Sequence, residues 1–156
     1  MWEKKILNFG SLETIRNVNT ALGWLPANIN AKAANTVAAF VILPKNGIGI
    51  EGASFPASRT ILIFENEDEI EEQLTVLHEI AHILDPGWPT HAFHCAFEAD
   101  KGRAPAKALR LANRSGASDF ERFAEISSFF LAAASPLKHF PRCAEIVCEA
   151  LNWDNS

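Results

Sequence analysis

The stretch "TVLHEIAHILD", Thr75 to Asp85, decides how this chain is read, because it joins a helical apolar period to two histidines four residues apart. Ile70, Leu74, Leu77, Ala81 and Leu84 recur at spacings of four, three, four and three, the stripe of an amphipathic helix. Asn66 with Glu69 makes a capping-box pattern, and Asp68, Glu69, Glu71 and Glu72 load the first turn with negative charge, which favours a helix N-terminus. "DPGWP", Asp85 to Pro89, closes the helix. His78 and His82 each follow a stripe position by one residue, so they are expected at the edge of the buried face.

Before this helix, "SLETIRNVNTALGW" (11 to 24) reads as a helix with Ser11 as its cap, stopped by Pro26. "TVAAFVIL" (36 to 43) reads as a buried strand ended by the turn signal "PKNG", and "IGIEGASF" and "RTILIFE" (Arg59 to Glu65) add further short strands. Strands of this length preceding a helix predict a small mixed or antiparallel sheet packed on the quoted helix. After it, helices are expected over Ala92 to Ala112, from Ser118 to about Ala134, and beyond Pro141, which makes the C-terminal half helical. The expected fold class is therefore α+β, and 156 residues without repeat or linker suit a single domain over 1–156.

The bulk numbers narrow the function classes. A net charge of −5 without a basic cluster argues against a nucleic-acid partner. No apolar run approaches the ~20 residues of a membrane span, so no membrane role is expected. The N-terminus, "MWEKKILNFGSLETIR", has neither an apolar h-region nor a small-residue cleavage site. A cytoplasmic protein, or one exported without a Sec signal as an effector, is expected. Cys95, Cys143 and Cys148 form neither an even set nor a CxxC pair and read as reduced, mostly buried thiols.

Histidines at i and i+4 leave one helix face together and reach one metal ion through both imidazoles. Glu79 stands beside the first in an H-E-x-x-H arrangement, in which zinc lowers the pKa of a water and the glutamate takes its proton. Chance yields this pattern about once in seventy chains of the same composition. A catalytic zinc needs a third protein ligand. The metzincin pattern fails, since Asp85 and Trp88 stand where that class needs glycine and histidine. His91 and His94, just past the turn, read as surface groups or as partners of a ligand. The segment "SDFERFAEISSFF" offers Glu121 and Glu125, which share one face of a helix that Phe120, Phe123, Phe129 and Phe130 are expected to press into the core. The residues alone leave these two glutamates level: Ser118 with Glu121 also fits a capping box, and Glu125 also fits an exposed position.

"VLHEIAHILD" followed by "ERFAEISSFF" resembles the gluzincin metallopeptidases typified by the anthrax lethal factor catalytic domain, the Pro-Pro endopeptidases and Mlc titration factor A, and the tail "FFLAAASPLKHFPRCAEIVCEAL" resembles the end of the titration-factor peptidases. The likeness covers roughly residues 60 to 150. It implies a zincin-like domain in which the glutamate opening the E-x-F-A segment, Glu121, is the third zinc ligand. Glu125 would then orient a ligand or the site water. Asp85, three after His82, would accept an imidazole N–H, although capping the helix end explains it equally. In these families a tyrosine seven residues before the ligand glutamate stabilises the oxyanion. This chain has no tyrosine and carries Arg114 there. A guanidinium can hydrogen-bond an oxyanion, and His91 or His94 are the other candidates for that part.

The expected function is zinc-dependent endopeptidase activity. His78, His82 and Glu121 would hold Zn2+, Glu79 would serve as base, Arg114 as oxyanion donor, and a protein or peptide substrate would lie along an edge strand. Two rivals come from other classes: a zinc-binding regulatory module that holds a protein partner without cutting it, and a regulatory protease that cleaves repressors.

Overall fold

The structure is a computed structural model that describes residues 1–84 and 90–151. "DPGWP", with the reading of Asp85, lies outside the described residues. The chain divides into two compact units, Met1–Pro86 and Gly87–Ser156, and is mixed α+β.

The first unit runs β1 (Ile6–Asn8), α1 (Leu12–Gly23), α2 (Ala27–Thr36), β2 (Ala39–Leu43), β3 (Gly52–Phe55), β4 (Thr60–Phe64) and α3 (Glu69–Leu84). Ser11 caps α1 as expected, its Oγ accepting from the Thr14 N–H at 3.1 Å. Pro26 does more than stop α1. It sits at the start of α2, where a missing N–H costs nothing, and the alanine-rich "ANINAKAANT" continues as helix up to Thr36. The strand expected from Thr36 therefore begins only at Ala39.

The sheet has the order β1-β2-β4-β3. β1 and β2 are parallel, as are β2 and β4, while β3 runs antiparallel to β4, so the sheet is mixed. Alternation decides what it buries. Phe40 and Ile42 of β2 and Ile61 and Ile63 of β4 are fully buried, and their neighbours in each strand are half-covered. The β3–β4 turn passes through Arg59, which takes a left-handed conformation at φ 55°.

α3 packs against α1, β3 and β4, and every residue from Thr75 to Leu84 is buried. Two details depart from expectation. The cap is Asp68, whose Oδ1 accepts from the Glu71 N–H at 3.0 Å. Asn66 instead turns back on itself, accepting from the Asp68 N–H at 2.9 Å. Ile70, expected as the first stripe position, is exposed. The first turn is tied down by polar groups: the buried Glu72 carboxylate accepts from Thr14 Oγ1 (3.2 Å), Asn17 Nδ2 (2.9 Å) and the Asn66 N–H (2.8 Å).

The second unit is helical: α4 (His91–Lys101), α5 (Ala106–Ala112), α6 (Asp119–Leu131), a 3-10 turn over Ser135–His139, and α7 (Pro141–Ala150). The single helix expected over 92 to 112 is broken. The Arg103 and Ala104 N–H groups fold back onto the Asp100 carbonyl, and Pro105 starts a new helix. α6 ends at Leu131, short of Ala134, because Ala133 adopts φ 49°. The core is aromatic. Phe93 meets Phe123 edge-on at 5.3 Å, and Phe97 stacks on Phe140 at 5.9 Å. Phe123 and Phe129 point into it, whereas Phe120, in the first turn of α6, is exposed. Buried Asp100 caps α7 through the Cys143 N–H at 2.9 Å. None of the three cysteines forms a disulfide. Cys143 is buried and Cys148 half-buried, but Cys95 is exposed, contrary to the expectation of mostly buried thiols. No helix among the described residues is long and apolar enough to cross a membrane.

Candidate metal centre

α3 sets the histidine pair by its pitch alone. His78 and His82 lie one turn apart on one face, both buried, with ring centroids 4.7 Å apart and planes crossed at 81°. Their Nε2 atoms converge to 3.0 Å. Two nitrogens bound at ~2.05 Å to one tetrahedral zinc are about 3.3 Å apart, so the pair is spaced as two donors to one ion are. A buried pair of imidazoles whose Nε2 atoms converge on one point is half of such a site.

Glu79 is buried next to His78 and lies beneath the edge strand. A Cβ at Gly52 of β3 would come within 3.0 Å of its Cγ and its Oε1. The register of β3 adds a second property. Glu51 is opposite Phe64 and accepts its N–H at 2.9 Å, so Ala53 and Phe55 continue the bonding to β4. The N–H and C=O of Gly52 and Ser54 therefore point away from β4, towards a side with no strand among the described residues.

In the second unit the two glutamates have different surroundings. Ser118 Oγ accepts from the Glu121 N–H at 3.2 Å, so the capping reading of that position holds. The cap uses the Glu121 backbone and leaves the direction of its carboxylate open. The Glu121 side chain is half-buried and rests against Gly116, a glycine at φ 136° whose added Cβ would meet the Glu121 Cγ at 3.5 Å. Glu125 is fully buried. Arg114 NH2 pairs with its Oε1 at 3.0 Å, and Ser115 Oγ donates to its Oε2 at 3.1 Å. Arg122 Nε donates to Asn113 Oδ1 at 2.7 Å, so residues 113 to 115 are tied to α6 at three points.

His94 and His91 sit on α4. His94 Nδ1 is 2.7 Å from Asp119 Oδ2, which leaves its Nε2 as the outer atom, and exposed His91 places Nε2 3.5 Å from Cys95 Sγ. The first unit thus gathers His78, His82, Glu79 and the edge strand, and the second gathers Glu121, Glu125 and Arg114. Sequence reasoning passed over Gly52, Ser115 and the His94–Asp119 pair. Only the first left a signal, a glycine within the strand pattern "IGIEGASF". Compared with known proteins, the chain matches no protein-family model and no curated protein.

Proposed function

We propose that this chain is a zinc-dependent endopeptidase of gluzincin type and zincin-like fold, with His78, His82 and Glu121 as ligands and Glu79 as the catalytic base. The observation that carries the reading is the 3.0 Å convergence of the two Nε2 atoms, with Glu79 beside them under an open strand edge. Two imidazole nitrogens and one carboxylate oxygen are a donor set that suits zinc. Glu121 is favoured over Glu125 for the third place, because Glu125 already directs both oxygens to Arg114 and Ser115.

Bound zinc would acidify a water molecule and polarise the scissile carbonyl. Glu79 accepts the water's proton on a carboxylate oxygen and returns it to the leaving amine nitrogen as the C–N bond breaks. Arg114 is the candidate donor to the developing oxyanion: NH2 is held by Glu125, but Nε has no hydrogen-bond partner among the described residues. An extended peptide would pair with the outward backbone groups of Gly52 and Ser54, which gives affinity with little demand on side-chain identity.

One observation favours a second reading, a zinc module that holds a protein without cutting it: the chain has no tyrosine, and Arg114 is already committed in part to Glu125. Elemental analysis of wild type, His78→Ala, Glu121→Ala and Glu125→Ala tests the site. One zinc per chain, lost in the first two variants and kept in the third, is expected. Zinc retained by Glu121→Ala would reject the ligand assignment, and its absence from reconstituted wild type would reject the metal altogether. A survey of cleavage products with Glu79→Ala as control then separates the readings. Cleavage that disappears in the variant supports the peptidase, and a cleaved DNA-binding protein would identify a repressor-directed one. Zinc without cleavage supports the module.

A further inference from the structure

We infer that Gly52 is a positioning residue for Glu79, its missing side chain being the space that lets the base sit directly under the substrate-docking edge; this rests on the peptidase reading above. Glycine inside a strand weakens it and asks for a reason. The backbone does not supply one, because positive φ among the described glycines is confined to Gly49 and Gly116. Space does. A Cβ at position 52 would stand 2.8 Å from Thr75 Cγ2 and 3.0 Å from both Cγ and Oε1 of Glu79, whereas one at Gly23 or Gly47 would meet nothing within 4 Å.

Which neighbour would yield follows from the rotational freedom of each side chain. Thr75 is β-branched and stiff at χ1, and its Oγ1 donates to the Glu71 carbonyl at 2.8 Å, so turning its methyl away breaks a hydrogen bond. Glu79 has a longer chain with more rotatable bonds, so its carboxylate is displaced first. Gly52 serves the site twice. Its backbone N–H and C=O face the open edge where an extended substrate pairs, and its bare α-carbon admits the carboxylate that acts on that substrate.

The test compares wild type, Gly52→Ala and Gly52→Ala/Thr75→Ser, the last removing the methyl clash while keeping the hydroxyl. Zinc content stays at the wild-type value in all three. In Gly52→Ala, kcat falls about 10- to 100-fold, as an ångström-scale misplacement of a reacting group does, while KM changes little. Thr75→Ser raises the melting temperature of Gly52→Ala but does not restore kcat. An unchanged kcat in Gly52→Ala overturns the inference, and so does joint recovery of kcat and melting temperature in the double variant, which would make Gly52 a packing residue only. Should Gly52→Ala not fold, the double variant is compared with Thr75→Ser for the same loss of kcat. A wild type without Glu79-dependent cleavage sinks the peptidase reading alone. The placement is then decided by a crystal structure of Gly52→Ala: a Glu79 carboxylate moved by about 1 Å or more supports it, and an unmoved one overturns it.

Discussion

Arg114 and Glu125 show how much a single pair matters in the helical unit. Glu125 is 1% exposed and its partner 17%, so the ion pair is nearly dry. Removing the guanidinium leaves a buried carboxylate without that countercharge, which costs far more than the pair contributes when intact. Arg114→Met is expected to destabilise the protein by about 3 kcal/mol in urea unfolding, and Arg114→Met/Glu125→Gln to recover part of the loss. Full stability in the single variant would mean the pair is incidental. The cysteines give a second residue-scale prediction. Burial first, then the nearby Asp100 and Asp119 carboxylates, raise the Cys143 thiol well above its ordinary value of 9.0. Folding therefore favours the protonated thiol. Its contribution is complete below about pH 9 and is lost as pH rises beyond that, by up to about 1.4 kcal/mol per unit. At neutral pH an alkylating reagent should modify exposed Cys95 quickly and Cys143 only after denaturant is added. What the sequence conceals at this scale is direction. Ile70 and Phe120 fit apolar periods yet face solvent, both in the first turn of their helix.

Elements were legible where a long period speaks for them. α3 and α6 carry sixteen and thirteen residues, and their apolar spacing placed both, with Ser118 correctly read as a cap. α2 was missed because its buried face, Ile29, Ala33 and Ala34, carries one large apolar residue, so the pattern shows little amphipathic contrast. Packing on α3 and the hydrogen bond from Trp2 Nε1 to Asn30 Oδ1 hold it, and no local window reports either. The break between α4 and α5 was missed because Gly102 and Pro105 stand apart rather than as a dipeptide signal. At the start of α3 the cap lies at Asp68, so Asp68→Ala should cost about 1 kcal/mol, whereas Asn66→Ala should leave the helix end intact and affect only the turn before it. The same turn depends on Glu72, which accepts three hydrogen bonds while buried. Glu72→Gln sets an amide N–H2 against donors and should destabilise by about 1–3 kcal/mol, measured by thermal unfolding. Stability equal to wild type would mean that apolar burial alone holds α3 to α1.

Strand order is a property of the whole chain. That residues 6–8 lie beside 40–42, and that β4 comes between β2 and β3, depends on pairings made across long separations, which no local window reports. The candidate site divides the same way. His78, Glu79 and His82 are one local pattern and were read directly, while the proposed third ligand, Glu121, came from a resemblance, because two glutamates four residues apart look alike in sequence. That Arg114 and Ser115 bind Glu125 is a tertiary fact no local window carries. A metal that binds only the folded chain links site to stability as RT ln(1 + [M]/Kd), so zinc held at about a thousand times Kd stabilises by about 4 kcal/mol. Chelation should therefore lower the melting temperature of wild type by several degrees, and zinc, added back, should restore it. On the proposed assignment His78→Ala and Glu121→Ala should melt at one temperature with or without chelator, since each removes a proposed donor, whereas Glu79→Ala should keep the full shift, because the proposed base takes a proton and does not hold the metal. A chelator-independent wild type would remove the centre on which the peptidase and the non-cutting module both depend. A shift retained by Glu121→Ala but lost in His78→Ala would keep the histidine pair and send the search for its third ligand elsewhere.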